Sequence, residues 1–165
     1  MSNIRCRGYL PHIESPGRSY LLTFRLHNRD IRWLRRPEVA SKIEGILLYR
    51  HRVDYGLYAW CIMPDHVHLV LLPLNQRPLS SILHRIKSYS ANQCNALLSR
   101  TGAFWQEETH DSVLYSDQER EAAVEYLVLN PVRAGLCERA EDWRWSSAGY
   151  RARLVSGQLG PWQWP

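Results

Sequence analysis

Apolar and polar positions alternate from Ser19 to His27, with Tyr20, Leu22, Phe24 and Leu26 on one side, the two-residue period of a half-buried strand. From Pro37 the period lengthens. Val39, Ile43, Ile46 and Leu47 line one face of a helix that opens on a proline, and Gly56 closes the segment. Leu57 to Met63 and His66 to Leu72 are two apolar runs separated by Pro64-Asp65, which predicts two strands joined as a hairpin. Pro78 opens a longer helix to about Arg100, with Leu79, Ile82, Leu83, Ile86, Tyr89, Cys94, Leu97 and Leu98 on one face. Thr101-Gly102 is its stop, the glycine taking the left-handed cap. Phe104 to Leu114 reads as a fourth strand. Ser116-Asp117-Gln118-Glu119 is a capping box that starts a third helix, which carries Tyr126 and which Pro131 ends or kinks.

The order strand, helix, strand, strand, helix, strand, helix is the split βαβ pattern of a ferredoxin-like α+β fold. An antiparallel sheet is expected, with helices on one face and the active site, with the third helix, on the other. One domain accounts for residues 1–165, with 1–17 an irregular arm and 152–165 a flexible tail.

The second strand of the hairpin opens with His66-Val67-His68. Alternation points both imidazoles the same way, about 7 Å apart at Cα, while Val67, Leu69 and Leu71 face a core. Such a pair is a platform for a divalent metal, although on its own it is more often two polar residues on a solvated face. At the end of the third helix Tyr126 and Asn130 are four residues apart and share a face, so a phenol and an amide could both look toward the histidines. Tyr89, on the apolar stripe of the second helix, is expected in the core, and Tyr115 on the surface.

Charge adds one element. Lys and Arg exceed Asp and Glu by 21 to 16, a net +5 carried almost wholly by arginine, which permits contacts to nucleic-acid phosphates without requiring them. Arg85 and Lys87 on the second helix, a basic face that is more often just solvated, and Arg133 after the third are candidate nucleic-acid contacts. Cys6, Cys61, Cys94 and Cys137 are scattered and form neither a zinc spacing nor a disulfide framework; Cys61 and Cys94 are expected as buried thiols. Without a signal peptide or a long apolar run, the expected location is the cytoplasm.

Pro64-Asp65-His66-Val67-His68, Phe104-Trp105-Gln106, Tyr126 with Asn130-Pro131-Val132-Arg133-Ala134-Gly135-Leu136, and Asp142-Trp143-Arg144-Trp145-Ser146-Ser147-Ala148 stand in this order. Together they resemble the REP-associated tyrosine transposases, members of the single-tyrosine HUH nuclease group, from about Arg7 to Arg151. The resemblance implies a metal-dependent single-stranded DNA endonuclease and strand transferase acting at hairpin-forming repeats through a 5′-phosphotyrosine. Tyr126 would be the nucleophile, and His66 and His68 with Asn130 the ligands of Mg²⁺ or Mn²⁺. Asn130 has a competing role as a helix cap. The protein would be a monomer or a homodimer.

Two positions depart from the commoner family form: Leu129 before Asn130, and Thr109-His110 where an aromatic is frequent. Both leave room for altered DNA specificity or activity. His110-Asp111 resembles a family segment near the site, with a structural hydrogen bond as its default role. Two other functions stay open: a domesticated protein that binds DNA hairpins without cutting, and a metal phosphodiesterase that uses water.

Overall fold

The computed structural model describes residues 14–155 apart from Arg29. The expected arm up to residue 13, and Trp162 and Trp164 in the expected tail, lie outside the described residues. The sheet has four strands, β1 (Ser19–Arg25), β2 (Tyr55–Ile62), β3 (His66–Pro73) and β4 (His110–Leu114), in the order β2-β3-β1-β4. Every neighbouring pair is antiparallel. Helices α1 (Pro37–Tyr49) and α2 (Leu79–Leu97) are the crossovers β1-α1-β2 and β3-α2-β4, each split by a strand of the other unit. This is the expected ferredoxin-like arrangement, and right-handed crossovers place both helices on one face. Helix α3 (Asp117–Val128) lies on the other face, followed by the single turn α4 (Asn130–Arg133) and by α5 (Ser147–Val155).

Strand alternation divides the interior in two. Leu22, Phe24, Val67, Leu69 and Leu71 point toward α1 and α2 and are fully buried with Ile43, Leu47, Ile82 and Leu83. The opposite side holds a smaller cluster, Ala59, Cys61, Met63 and Val70 under Ala123 and Leu127 of α3. Strand β2 serves both because the ladder shifts between Leu57 and Ala59. The bulge resets the phase, so Leu57 and Trp60 share the α1 side while Ala59 and Cys61 present small side chains to α3.

The second helix differs from expectation. Its buried line runs Ile82, Ile86, Ser90, Cys94 at a spacing of four, and Tyr89 is 56% exposed. Ser90 is buried because its hydroxyl accepts from Trp105 Nε1 at 2.9 Å. The helix also stops earlier. Ser99, not Gly102, takes the left-handed residue (φ 51°), with Ser99 N–H donating to Ala96 and Arg100 N–H to Asn95. Its first turn is capped by Glu14, whose carboxylate accepts from Leu79 and Ser80 N–H. The fourth strand is shorter than expected. Residues 104–109 are not strand, since Phe104 and Trp105 are drawn into the core, leaving a single bridge from Leu26 to Trp105.

The capping box forms one residue out of register. Ser116 Oγ accepts from Glu119 N–H at 3.1 Å, but Glu119 reaches back to Tyr115 N–H at 2.9 Å. Beyond α4, segment 143–147 covers the β2 edge. Ile62 N–H donates to Trp145 O at 2.8 Å and Trp143 Nε1 donates to Ile62 O at 3.0 Å, so both tryptophans pack on the sheet. Residues 152–155, expected as tail, continue α5. Buried Glu44 on α1 accepts from Trp60 Nε1 at 3.2 Å and pairs with Arg153 of α5 at 3.2 Å; burial outweighs these partners and raises its pKa.

At Gly149, in α5, an added Cβ would meet the Trp143 carbonyl oxygen at 2.2 Å. Gly149→Ala is therefore expected to cost about 1–3 kcal/mol, read from urea unfolding. An unchanged midpoint would show that the edge cover is not tightly packed there.

Candidate active site

The histidine pair sits at the centre of the sheet. Thr23 of β1 and Cys61 of β2 are the register partners of His68, so its imidazole emerges between two strands on the α3 side. His68 is 6% exposed. Its Nδ1 lies 2.7 Å from Thr23 Oγ1, and His66 Nδ1 lies 2.7 Å from Asp65 Oδ1. Asp65 in turn meets Arg32 at 3.3 Å. With both Nδ1 atoms engaged from behind, the two Nε2 atoms face each other 3.0 Å apart.

That contact constrains the protons. If each Nδ1–H donates to its oxygen partner, both Nε2 atoms carry lone pairs and can share a cation; if the Thr23 hydroxyl instead donates to His68 Nδ1, His68 Nε2–H donates to His66 Nε2 and the pair is neutral. Burial opposes any further proton. It drives the pKa of His68 down to about 3, helped by neighbouring His66 and Arg25. At His66 burial also lowers the pKa, outweighing the Asp65 carboxylate. Two nitrogens 3.0 Å apart match adjacent ligands of one octahedral ion at about 2.1 Å.

Helix α3 carries Tyr126 to the pair, and the turn α4 that follows carries Asn130. The Asn130 amide lies 2.7 Å from His68 Nε2, across 62 residues of sequence. Its nitrogen faces the histidine, and rotation of the amide would present the oxygen instead. The Tyr126 ring packs edge-on to His68 with centroids 6.4 Å apart, and the residue is 48% exposed. The helical path passes from α3 to α4 through Leu129, which keeps helical dihedrals (φ −83°, ψ −6°), so Tyr126 and Asn130 stay on one face. Pro131 then sits in the first turn of α4, where its missing N–H costs nothing. Among the described residues no group of three or more His, Cys, Asp or Glu side chains could hold a metal, so any ion here would rest on the two imidazoles and the Asn130 amide.

The predicted basic residues divide. Arg133 joins the site: its guanidinium lies 4.9 Å over the Tyr126 ring and donates to Tyr126 O at 3.0 Å. Arg85 and Lys87 belong to α2, on the far side of the sheet. Arg85 is 3.7 Å from buried Asp54, which also pairs with Arg50 and Arg77 at 2.6 Å each. Lys87 Nζ donates to the Glu107 carbonyl at 2.8 Å and to Thr109 Oγ1 at 3.1 Å, tying down the loop before β4, and burial lowers its pKa. His110 stands opposite Thr23 and so shares the histidine face, whereas Asp111 alternates away from it. Thr23 carried no distinguishing mark in the sequence. Asp65 stood beside the histidines but read only as a turn residue.

A family model described as Transposase IS200 like matches residues 23–128, well over half of the chain. The chain belongs to this family. A REP-associated tyrosine transposase of Escherichia coli is 26% identical over 149 residues, 90% of this chain and 85% of that protein. A Haemophilus influenzae protein, provisionally named a REP-associated tyrosine transposase, is 28% identical over 116 residues, and the match spans 64% of either chain. The fold also matches a solved REP-associated tyrosine transposase bound to a REP hairpin, with TM-score 0.70 and 21% identity over 95% of this chain and 92% of that one. As expected, the chain has an α+β fold with a four-stranded antiparallel sheet, and no described helix is long and apolar enough to cross a membrane.

The depressed histidine pKa values fix a pH dependence. The unfolded chain takes up a proton near pH 6.5 that folded His68 refuses until about 3. Stability from the neutral pair is therefore complete above pH 6.5 and is lost as pH falls toward 3. His68→Gln is expected to flatten that decline in urea titrations at several pH values; an equally steep fall in the variant would place the acid sensitivity elsewhere.

Proposed function

We propose that the protein is an enzyme that cleaves and rejoins single-stranded DNA at hairpin-forming repeats, with Tyr126 as nucleophile and a 5′-phosphotyrosine as intermediate. The observation that carries this is the meeting of Tyr126 of α3 and Asn130 of α4, the latter 62 residues from His68 in sequence, with the His66/His68 pair. DNA hairpins as partner are supported by the matching structure solved with a REP hairpin, and by the net charge of +5. Such an enzyme would act in the cytoplasm, as a monomer or homodimer.

His66, His68 and Asn130 would hold Mg²⁺ or Mn²⁺. Such an ion polarises the scissile phosphate and offsets the charge that develops in the transition state. Asp65 and Thr23 keep each Nδ1 occupied and so aim each Nε2 inward. Tyr126 Oη forms a bond to phosphorus as the bond from phosphorus to the 3′-oxygen breaks. The phenolic proton leaves to solvent and the 3′-oxygen takes one up. The phosphodiester is exchanged rather than hydrolysed, so a new 3′-hydroxyl can attack the phosphotyrosine, expel the phenol and join another strand. A half-exposed Tyr126 beside buried His68 fits a single strand, whose phosphate can be placed there without an opposing strand in the way.

Denaturing gels of labelled hairpin oligonucleotides incubated with protein and Mn²⁺ test this. A protein–DNA adduct is expected, absent in Tyr126→Phe and reduced at least about a hundredfold in His66→Ala. Cleavage that persists in Tyr126→Phe without an adduct would replace the tyrosine with water as nucleophile. Hairpin binding without any cleavage would make the protein a domesticated binder. Asp65→Asn is expected to weaken Mn²⁺ binding about 10- to 100-fold by calorimetry; unchanged affinity would remove Asp65 from the support of the site.

A further inference from the structure

We infer that Arg133 is a positioning residue for Tyr126, acting through the phenol ring rather than as a contact to the DNA backbone; this rests on the proposed role of Tyr126 as nucleophile. Two contacts lock the pair. The guanidinium carbon lies 4.9 Å from the ring centroid, and Nη1 donates to the Tyr126 carbonyl at 3.0 Å. The carbonyl bond fixes the guanidinium relative to the Tyr126 backbone, and the ring contact then fixes the ring. Tyr126 needs such a restraint. Its side chain is 48% exposed, and its neighbour in the site touches it only edge-on at 6.4 Å between centroids.

The chain builds the restraint where α3 passes into α4. A continuous α3 would place residues 126 and 133 about two turns apart, on one stripe but with some 10 Å of rise between them. Leu129 keeps helical dihedrals, so Arg133, in the last turn of α4, stays on the stripe of Tyr126 and its long side chain spans that rise. Gly135 then closes α4 with φ 68°, its N–H donating to Val132 O and Leu136 N–H to Pro131 O. Arg133 is thus held on a short, capped turn fixed at both ends. It also sits at the negative end of α3, where a cation is favoured.

The attraction of a cation to a phenol ring grows as negative charge develops on the ring. Arg133 therefore favours Tyr126 more strongly as its Oη–H bond breaks on attack, and again when the phenol is expelled in rejoining, than in the resting state. An interaction stronger in the transition state than in the ground state speeds the chemical step without tightening DNA binding.

The experiment compares Arg133→Gln, Arg133→Lys and Tyr126→Phe in the full chain with a REP-type hairpin oligonucleotide and Mn²⁺. Expected for Arg133→Gln is an adduct-forming rate at saturating DNA lowered about tenfold. Its hairpin Kd and thermal midpoint should match wild type. Arg133→Lys, which keeps the cation, should recover most of the rate. A raised Kd with a shallower salt dependence and an unchanged saturated rate would make Arg133 a phosphate contact and overturn the inference. A loss of rate in proportion to a lowered thermal midpoint, the same for Gln and Lys, would reduce Arg133 to a helix cap and overturn it equally. Tyr126→Phe separates the two levels. Cleavage surviving there overturns the nucleophile itself, whereas cleavage lost there but intact in Arg133→Gln overturns only the role of Arg133.

Discussion

The alternation of β3 between two faces is the constraint on which the rest depends. Val67, Leu69 and Leu71 must be buried against α1 and α2, so His66, His68 and Val70 must emerge on the other side. A slip of one residue would place two imidazoles in a hydrocarbon core and three large aliphatic side chains beneath α3. The antiparallel pairing with β1 and β2 fixes that register from both edges, and the same pairing delivers Thr23 to His68. The geometry of the candidate site is thus a by-product of the way the core is filled.

Much of this was legible because it follows from period and order. The strand alternation, the helical stripes and the split βαβ order were sufficient for the sheet topology, and the spacing of Tyr126 and Asn130 anticipated their shared orientation. What escaped depends on partners distant in sequence. Ser90 is buried in place of Tyr89 only because Trp105 arrives from a later loop to donate to its hydroxyl. Ser99 takes a left-handed cap that propensity assigns to glycine, since two backbone hydrogen bonds offset the strain. The supports behind the imidazoles were hidden for the same reason: Thr23 is 45 residues from His68. Glu44 and Arg153, 109 residues apart, carry no local signal of their pairing.

The bulge in β2 reconciles two demands on one strand. The α1 side calls for bulk, supplied by Leu57 and Trp60, and the α3 side for small side chains, supplied by Ala59 and Cys61. Strict alternation from Leu57 would have sent Trp60 against α3 and held that helix off the sheet. With the phase reset, α3 settles close enough for Asn130 to reach His68.

The two interiors differ greatly in depth, and this bears on how the molecule opens. The strands holding the histidines are shared with the large core, whereas α3 is held mainly by Ala59, Cys61, Met63, Val70, Ala123 and Leu127. Cooperative opening follows buried contacts, so the α3–α4 layer forms a separate, weaker unit above a rigid floor. Amide protons of α3 will exchange with solvent through excursions that leave β3 intact. The tyrosine is carried by the part of the protein that can lift away, and the histidines by the part that cannot.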